Sequence, residues 1–204
     1  MIKKFKFYFT LVFFILLIGQ NSLIGSEKNY KIIKLVNEHV ITNFDLEQRI
    51  KFYSFLNNIM INEENLENVA NKILSEMVDE LLQLEKIREY KIDLNNINVD
   101  DYIKKAYLKE DISLETFNLS LEKNNLDINI LRKSISIKVG WNELAGRLFY
   151  RNSKINQIDL HDLMKNNQLL TKIEAEDILI QKLIRLRAKK LLRDIRTEAN
   201  IENR

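Results

Sequence analysis

The sequence predicts a mainly helical fold with one small β-hairpin near its N-terminus, and three observations carry that prediction. Glycine is scarce, with 4 in 204 residues, and proline is absent, so the turn chemistry of a sandwich or barrel is missing. Apolar residues make up 46% of the chain and charged residues 30%, the balance of a folded protein rather than a disordered one. Long segments repeat their apolar residues at three- and four-residue steps, which lines them up on one helix face. A chain of this length can bury a genuine core as one domain of ordinary size.

The first 26 residues read as a targeting segment. Lys3, Lys4 and Lys6 form a cationic start, Phe7 to Ile18 is apolar apart from Thr10, and a small polar stretch runs from Gln20 to Ser26. That is the grammar of a secretory signal peptide, and the apolar run is short for a membrane span. Cleavage after Ser26 is expected, leaving residues 27–204 as a single exported domain. An uncleaved anchor through residues 7–18, with membrane association, is the alternative, and both place the rest outside the cytoplasm. The net charge of +3 comes from 32 Lys+Arg against 29 Asp+Glu. Residues 1–26 hold three of the lysines and no acid, so the remainder balances at 29 of each. A neutral domain has no sequence-wide field to draw it to nucleic acid. With no cysteine, disulfides, thiol catalysis and cysteine metal sites are excluded.

The elements follow in order. Lys31 to Val36 is short, β-branched and apolar, as a strand requires. Asn37-Glu38 supplies a tight turn, because Asn accepts positive φ, and His39-Val40-Ile41 returns as a second strand. A hairpin alone is marginal, so it must pack on helices or recruit a third strand. Thr42 caps the first helix, with Asp45 placed to reach back in a variant capping box; this helix is expected to run to about Ile61, where Asn62 to Asn65 interrupts it. Leu66, Val69, Ala70, Ile73, Leu74, Met77, Val78, Leu81 and Leu82 keep one buried face through a second helix reaching about Tyr90. A polar connection, Asp93 to Asn98, leads to two short helices, Val99 to Lys109 and Leu114 to Asn124, capped by Asn98 and Ser113. Asp127 caps a long helix from Ile128 to about Arg151. Asn152 to Thr171 is the least periodic stretch, with one short helix over Asp159 to Asn166. Thr171 and Glu174 form a full capping box ahead of a long last helix ending near Thr197.

Nothing in the sequence argues for an enzyme: no catalytic residue, metal ligand set or cofactor motif emerges. The two histidines, His39 and His161, lack the pairing a zinc site uses, and no nucleophile elbow or phosphate-cradling glycine loop is present. The last helix is locally basic, with Lys182, Arg185, Arg187, Lys189, Lys190, Arg193 and Arg196. Two readings compete: a patch for nucleic acid or anionic lipid, and a solvated face whose cations suit a helix C-terminus and meet acids such as Asp79, Glu80 and Glu85. Export argues against nucleic acid. The first helix carries two apolar stripes. Leu46, Ile50, Tyr53, Leu56 and Met60 form one, and Phe52, Phe55 and Ile59 a second, offset by roughly a quarter to a third of a turn. Such a helix is either sandwiched in the core or offers one face to a partner. Phe52, Phe55 and Ile59 are the candidate binding residues, since aromatics give large contact areas at low entropic cost.

The segment Lys34-Leu35-Val36-Asn37-Glu38-His39-Val40-Ile41-Thr42-Asn43-Phe44-Asp45-Leu46 resembles the opening strand, turn, strand and capped helix of the SurA-like periplasmic chaperones. Ile73 to Gln83 resembles that family's second helix, and Val99-Asp100-Asp101, Leu114 to Phe117 and Leu131-Arg132 resemble its next helices in order. Leu192 to Glu202 resembles its C-terminal helix and strand. The resemblance covers nearly all of residues 27–204 and implies one SurA-like core in which a short strand, Ala199 to Glu202, pairs with the N-terminal one. It also implies a periplasmic chaperone that holds unfolded outer-membrane polypeptides in an apolar groove. The family usually carries one or two parvulin-type prolyl isomerase domains, of roughly 90–100 residues each. Here residues 152–171 stand in that place, so isomerase activity is not expected. The expectation is therefore an ATP-independent holdase. An adaptor, anchored or periplasmic, that binds one folded partner is the rival, and a small DNA-binding protein is a third reading that export disfavours.

Overall fold

The hairpin segment that could not be stable by itself recruits a strand from the far end of the sequence. In the computed structural model, which describes residues 30–108 and 112–204, β1 (Ile32–Val36) pairs antiparallel with β2 (His39–Thr42) and with β3 (Ile201–Asn203), in the order β2-β1-β3. Val36 stands opposite both His39 and Ile201, and Lys34 opposite Ile41 and Asn203; a bulge interrupts the β1–β2 register between Ile32 and Lys34. The third strand is thus where the sequence places it, starting at Ile201 rather than Ala199. The expected signal peptide, residues 1–26, lies outside the described residues.

Asn37 turns the hairpin at a φ of 51°, a conformation that Asn tolerates better than most residues. Its side chain then ties three parts of the chain together. Its Oδ1 accepts from the Asn200 N–H at 2.9 Å and its Nδ2 donates to Glu85 at 2.8 Å, while its own N–H donates to the Asn200 carbonyl at 2.8 Å. Glu85 also meets His39 Nε2 at 3.3 Å, so both histidine and carboxylate serve to fix the sheet on a helix.

Seven α-helices occupy the rest of the described residues: α1 (Asn43–Asn57), α2 (Glu63–Glu89), α3 (Val99–Tyr107), α4 (Leu114–Lys123), α5 (Ile128–Phe149), α6 (Gln157–Asn166) and α7 (Lys172–Glu198), with a 3₁₀ turn over Tyr150–Asn152. The fold is mainly α, as the composition requires. Capping boxes open α1 through Thr42 and Asp45, and α7 through Thr171 and Glu174. Asn62 and Asn65, expected to interrupt a helix, instead form a reciprocal cap that starts α2.

From Lys31 onward the chain forms one compact unit with three apolar clusters. The largest unites Val36 and Ile41 of the sheet with Val78, Leu82 and Ile87 of α2, Ile137, Trp141 and Leu144 of α5, and Ile184, Ala188 and Ile195 of α7. A second gathers Phe52 of α1, Ile103 of α3, Phe117 and Leu121 of α4, Leu126, and Leu131 and Ile135 of α5. Helix α5 therefore runs through both, its N-terminal half in one and its C-terminal half in the other. A third, small cluster of Leu160, Ala175 and Leu179 holds α6 against the start of α7.

Candidate functional site

Helix α1 ends four residues earlier than its apolar pattern suggests, and that early stop shapes the surface beside it. Asn58 adopts φ 52° and its N–H donates to the Phe55 and Ser54 carbonyls; Ile59 N–H also donates to the Ser54 carbonyl, at 3.0 Å. The Ser54 hydroxyl closes the motif by donating to the Ile59 carbonyl at 2.6 Å. A left-handed residue at the helix exit satisfies carbonyls that would otherwise lack partners. Ile59 and Met60 consequently leave the helix and sit exposed in the α1–α2 connection, so the stripe Phe52, Phe55, Ile59 is not a continuous helical face.

The three candidate residues separate in their surroundings. Phe52 is 4% exposed and belongs to the second apolar cluster. Phe55 is half-buried, its ring 6.3 Å from that of Phe117 and tilted by 51°, a favourable aromatic arrangement. Ile59 is exposed.

Phe52 nevertheless borders a cleft, an opening of about 490 Å³ between α1, α2, α5 and the end of α3. Phe52, Leu56, Ile73, Leu131 and Ile135 give it apolar walls, and Tyr53 and Tyr107 stand at its sides. Polar and charged groups complete the lining: Arg49, Glu76, Asp79, Glu80 and Lys138, with Asn57, Gln83 and Ser134. Most of these are engaged. Arg49 pairs closely with Glu80, which also accepts from the Ser134 hydroxyl at 2.5 Å. Asp79 pairs with Arg196 of α7, which also reaches the Ser75 carbonyl at 3.4 Å. Lys72 lies 4.6 Å from the Tyr53 ring centroid, a cation–π contact. Glu76 and Lys138 form no ion pair with the described residues.

Arg49, Glu80 and Ser134 line a second, smaller cavity as well, of about 170 Å³, with Val40, Ile41, Met77, Leu81, Ile130 and Ile137. The Arg49–Glu80–Ser134 bridge is thus a polar partition between two apolar-walled spaces. Chemically the cleft offers burial and orientation, and among the described residues no group of three or more His, Asp or Glu is placed to hold a metal. Of the candidates Phe52, Phe55 and Ile59 only Phe52 lines the cleft, and Tyr53 and Leu56 join it from the other apolar stripe of α1. Ile73 of α2 with Leu131 and Ile135 of α5 is read as ordinary core in a linear pattern, because nothing in the sequence says which helices stop short of contact.

No protein-family model matches the sequence. The chain is similar to the Chaperone SurA of Buchnera aphidicola subsp. Schizaphis graminum (strain Sg), at 22% identity over 184 residues. The match covers 86% of this chain and 43% of that protein, so the chain spans less than half the length of the relative. The likeness supports at most a distant SurA-like relationship over most of the chain.

Proposed function

We propose that the protein is an ATP-independent holdase that binds apolar segments of unfolded outer-membrane polypeptides in the periplasm. The observation that carries this reading is an open cleft with apolar walls and a charged rim, in a chain similar to a chaperone over 86% of its length. Phe52 and Leu56 would supply buried walls, Phe55 would brace Phe52 from the α4 side, and Ile59 and Met60 would extend the apolar surface beyond the helix end. Burying one aliphatic or aromatic client side chain is worth about 1.5–3 kcal/mol, less than the cost of immobilising a partner. Each contact is then weak, and a client leaves without an energy source once its own folding competes. Holding apolar segments apart suppresses the edge-to-edge pairing by which unfolded barrel strands aggregate.

Isomerase activity is not part of this reading. Between α5 and α7 the chain has only a 3₁₀ turn and the ten-residue α6, far short of the roughly 100 residues of a small catalytic domain.

The test dilutes a denatured outer-membrane barrel protein into buffer with residues 27–204 and follows light scattering. Suppression at up to equimolar protein is expected, with the effect weakened several-fold by Leu56→Ser while the helical circular dichroism is kept. Unchanged scattering would remove the holdase reading, and accelerated prolyl isomerisation of a peptide substrate would contradict the absence of that activity.

A further inference from the structure

The solvent face of α7 has a composition that neither the core nor the cleft explains. Ile184, Ala188 and Ile195 turn this helix onto the main core. At about 100° per residue, Lys182, Arg185, Leu186, Lys189, Lys190 and Arg193 fall within an arc of about 140° on the other side, and all six are exposed. They extend over about 17 Å of helix. No acid lies in that arc; Asp194 and Glu198 fall outside it. Lys182, Arg185, Lys189 and Lys190 form no ion pair with the described residues, and Arg193 has only a long contact, Nε to Asp194 Oδ1 at 3.9 Å. The acids expected to neutralise the helix are taken elsewhere: Glu80 by Arg49, Glu85 by His39 and Asn37. Of the basic residues, Arg196 alone reaches one of them, Asp79.

The helix dipole does not account for this arrangement. Its effect is confined to the last turn, whereas Lys182 to Lys190 lie two to four turns before Glu198. Two exposed aliphatic side chains, Ile178 and Leu186, share the same arc. Cations surrounding isolated aliphatics are what an anionic bilayer surface accommodates, with the ammonium and guanidinium groups at the phosphates and the aliphatics entering the headgroup layer.

We propose that the exposed face of α7 from Ile178 to Arg193 seats the protein on an anionic phospholipid surface. The face lies on the opposite side of α7 from the core residues that hold it, so binding there leaves the packing of α7 intact.

The chain has no cysteine, which allows one environment-sensitive fluorophore to be placed at will. The full chain carrying Leu186→Cys, labelled, is titrated with phosphatidylglycerol vesicles and with phosphatidylcholine vesicles; a label at exposed Glu122→Cys on α4 is the control. A local label makes the result independent of anything the N-terminal segment does. The expected result is a blue-shifted, brighter signal at position 186 only, with phosphatidylglycerol only, and reversed by salt. Adding Lys182→Gln, Arg185→Gln, Lys189→Gln and Lys190→Gln should weaken binding on the order of 10²–10³-fold, from about fivefold per cation. No change at position 186, an equal change at position 122, or a response undiminished by the four substitutions would overturn the proposal. A response to duplex DNA with none to vesicles would overturn it in favour of a nucleic-acid surface.

Discussion

The sheet-bearing core and the α6–α7 hairpin share one helix, yet they are built on very different amounts of buried surface. In the core, Val36, Leu82 and Ile87 are completely inaccessible, and strands from positions 34 and 203 pair across it. In the hairpin, the buried cluster among the described residues is Leu160, Ala175 and Leu179. Leu169, Ile173 and Ile158 remain 100%, 79% and 69% exposed. The first region gains from contacts closed over the longest loops in the chain, which cost entropy once and are repaid by many apolar neighbours. The second depends on a local cap and a few side chains. The cleft is walled by Phe52, Leu131 and Ile135 of the second cluster, which shares α5 with the sheet-bearing core, while the hairpin belongs to the low-stability end of the molecule.

Breaking the core should therefore be the most damaging change. Leu82→Ala is expected to cost about 3 kcal/mol through lost burial and the cavity left behind, read as a lower urea midpoint with unchanged slope. Deleting residues 199–204 removes β3, the Ile201 packing and the Asn37–Asn200 hydrogen bonds. A loss of about 2 kcal/mol is expected, or a fall in Tm of about 4–8 °C for a protein of this size. An unchanged Tm would mean that the third strand contributes nothing to closing the sheet. Leu160→Ala should act differently, with a small change in the global midpoint but faster amide exchange confined to residues 157–179.

The smallest effect sharpens the contrast through pH. Glu174 accepts from the Thr171 N–H and hydroxyl, both at 2.8 Å, and these bonds hold its carboxyl below the ordinary value of 4.5. A depressed folded value means the stabilisation is complete above pH 4.5 and is lost as pH falls through the folded value. Amide exchange at the start of α7 should accelerate in that acid window before the core responds, and Glu174→Gln should remove the pH dependence of that acceleration.

The features legible in the sequence are those decided by neighbours a few positions away. The caps at Thr42 and Thr171 follow from a hydroxyl and a carboxylate three residues apart, and the turn at Asn37 from a side chain that accepts positive φ. The exit of α1 was not legible, because the apolar pattern continues through Ile59 and Met60 while Asn58 and Ser54 together end the helix. Asn62 to Asn65 looked like a break and is the start of α2, since Asn at N3 substitutes for the usual Glu. Little of the cleft was legible, since of the candidates Phe52, Phe55 and Ile59 only Phe52 lines it. Tyr53 and Leu56 stand on a visible stripe, but their opposition to Ile73, Leu131 and Ile135 is a product of how three helices diverge. Of the acids expected to meet the basic side of α7, Asp79 does so through Arg196, whereas tertiary packing assigns Glu80 and Glu85 to other partners.

The central claim is that the α1–α2–α5 cleft, rather than the exposed hairpin, receives unfolded polypeptide. Replacing Tyr53 by a photo-crosslinking phenylalanine analogue places the probe at the cleft; the same replacement at Ile173 places it on the hairpin. Irradiation with an unfolded outer-membrane barrel protein should give a crosslink at position 53 that a competing unfolded client abolishes, with little at position 173. Crosslinking mainly at position 173, or none at position 53 while aggregation is still suppressed, would contradict the account and move the binding surface to the hairpin.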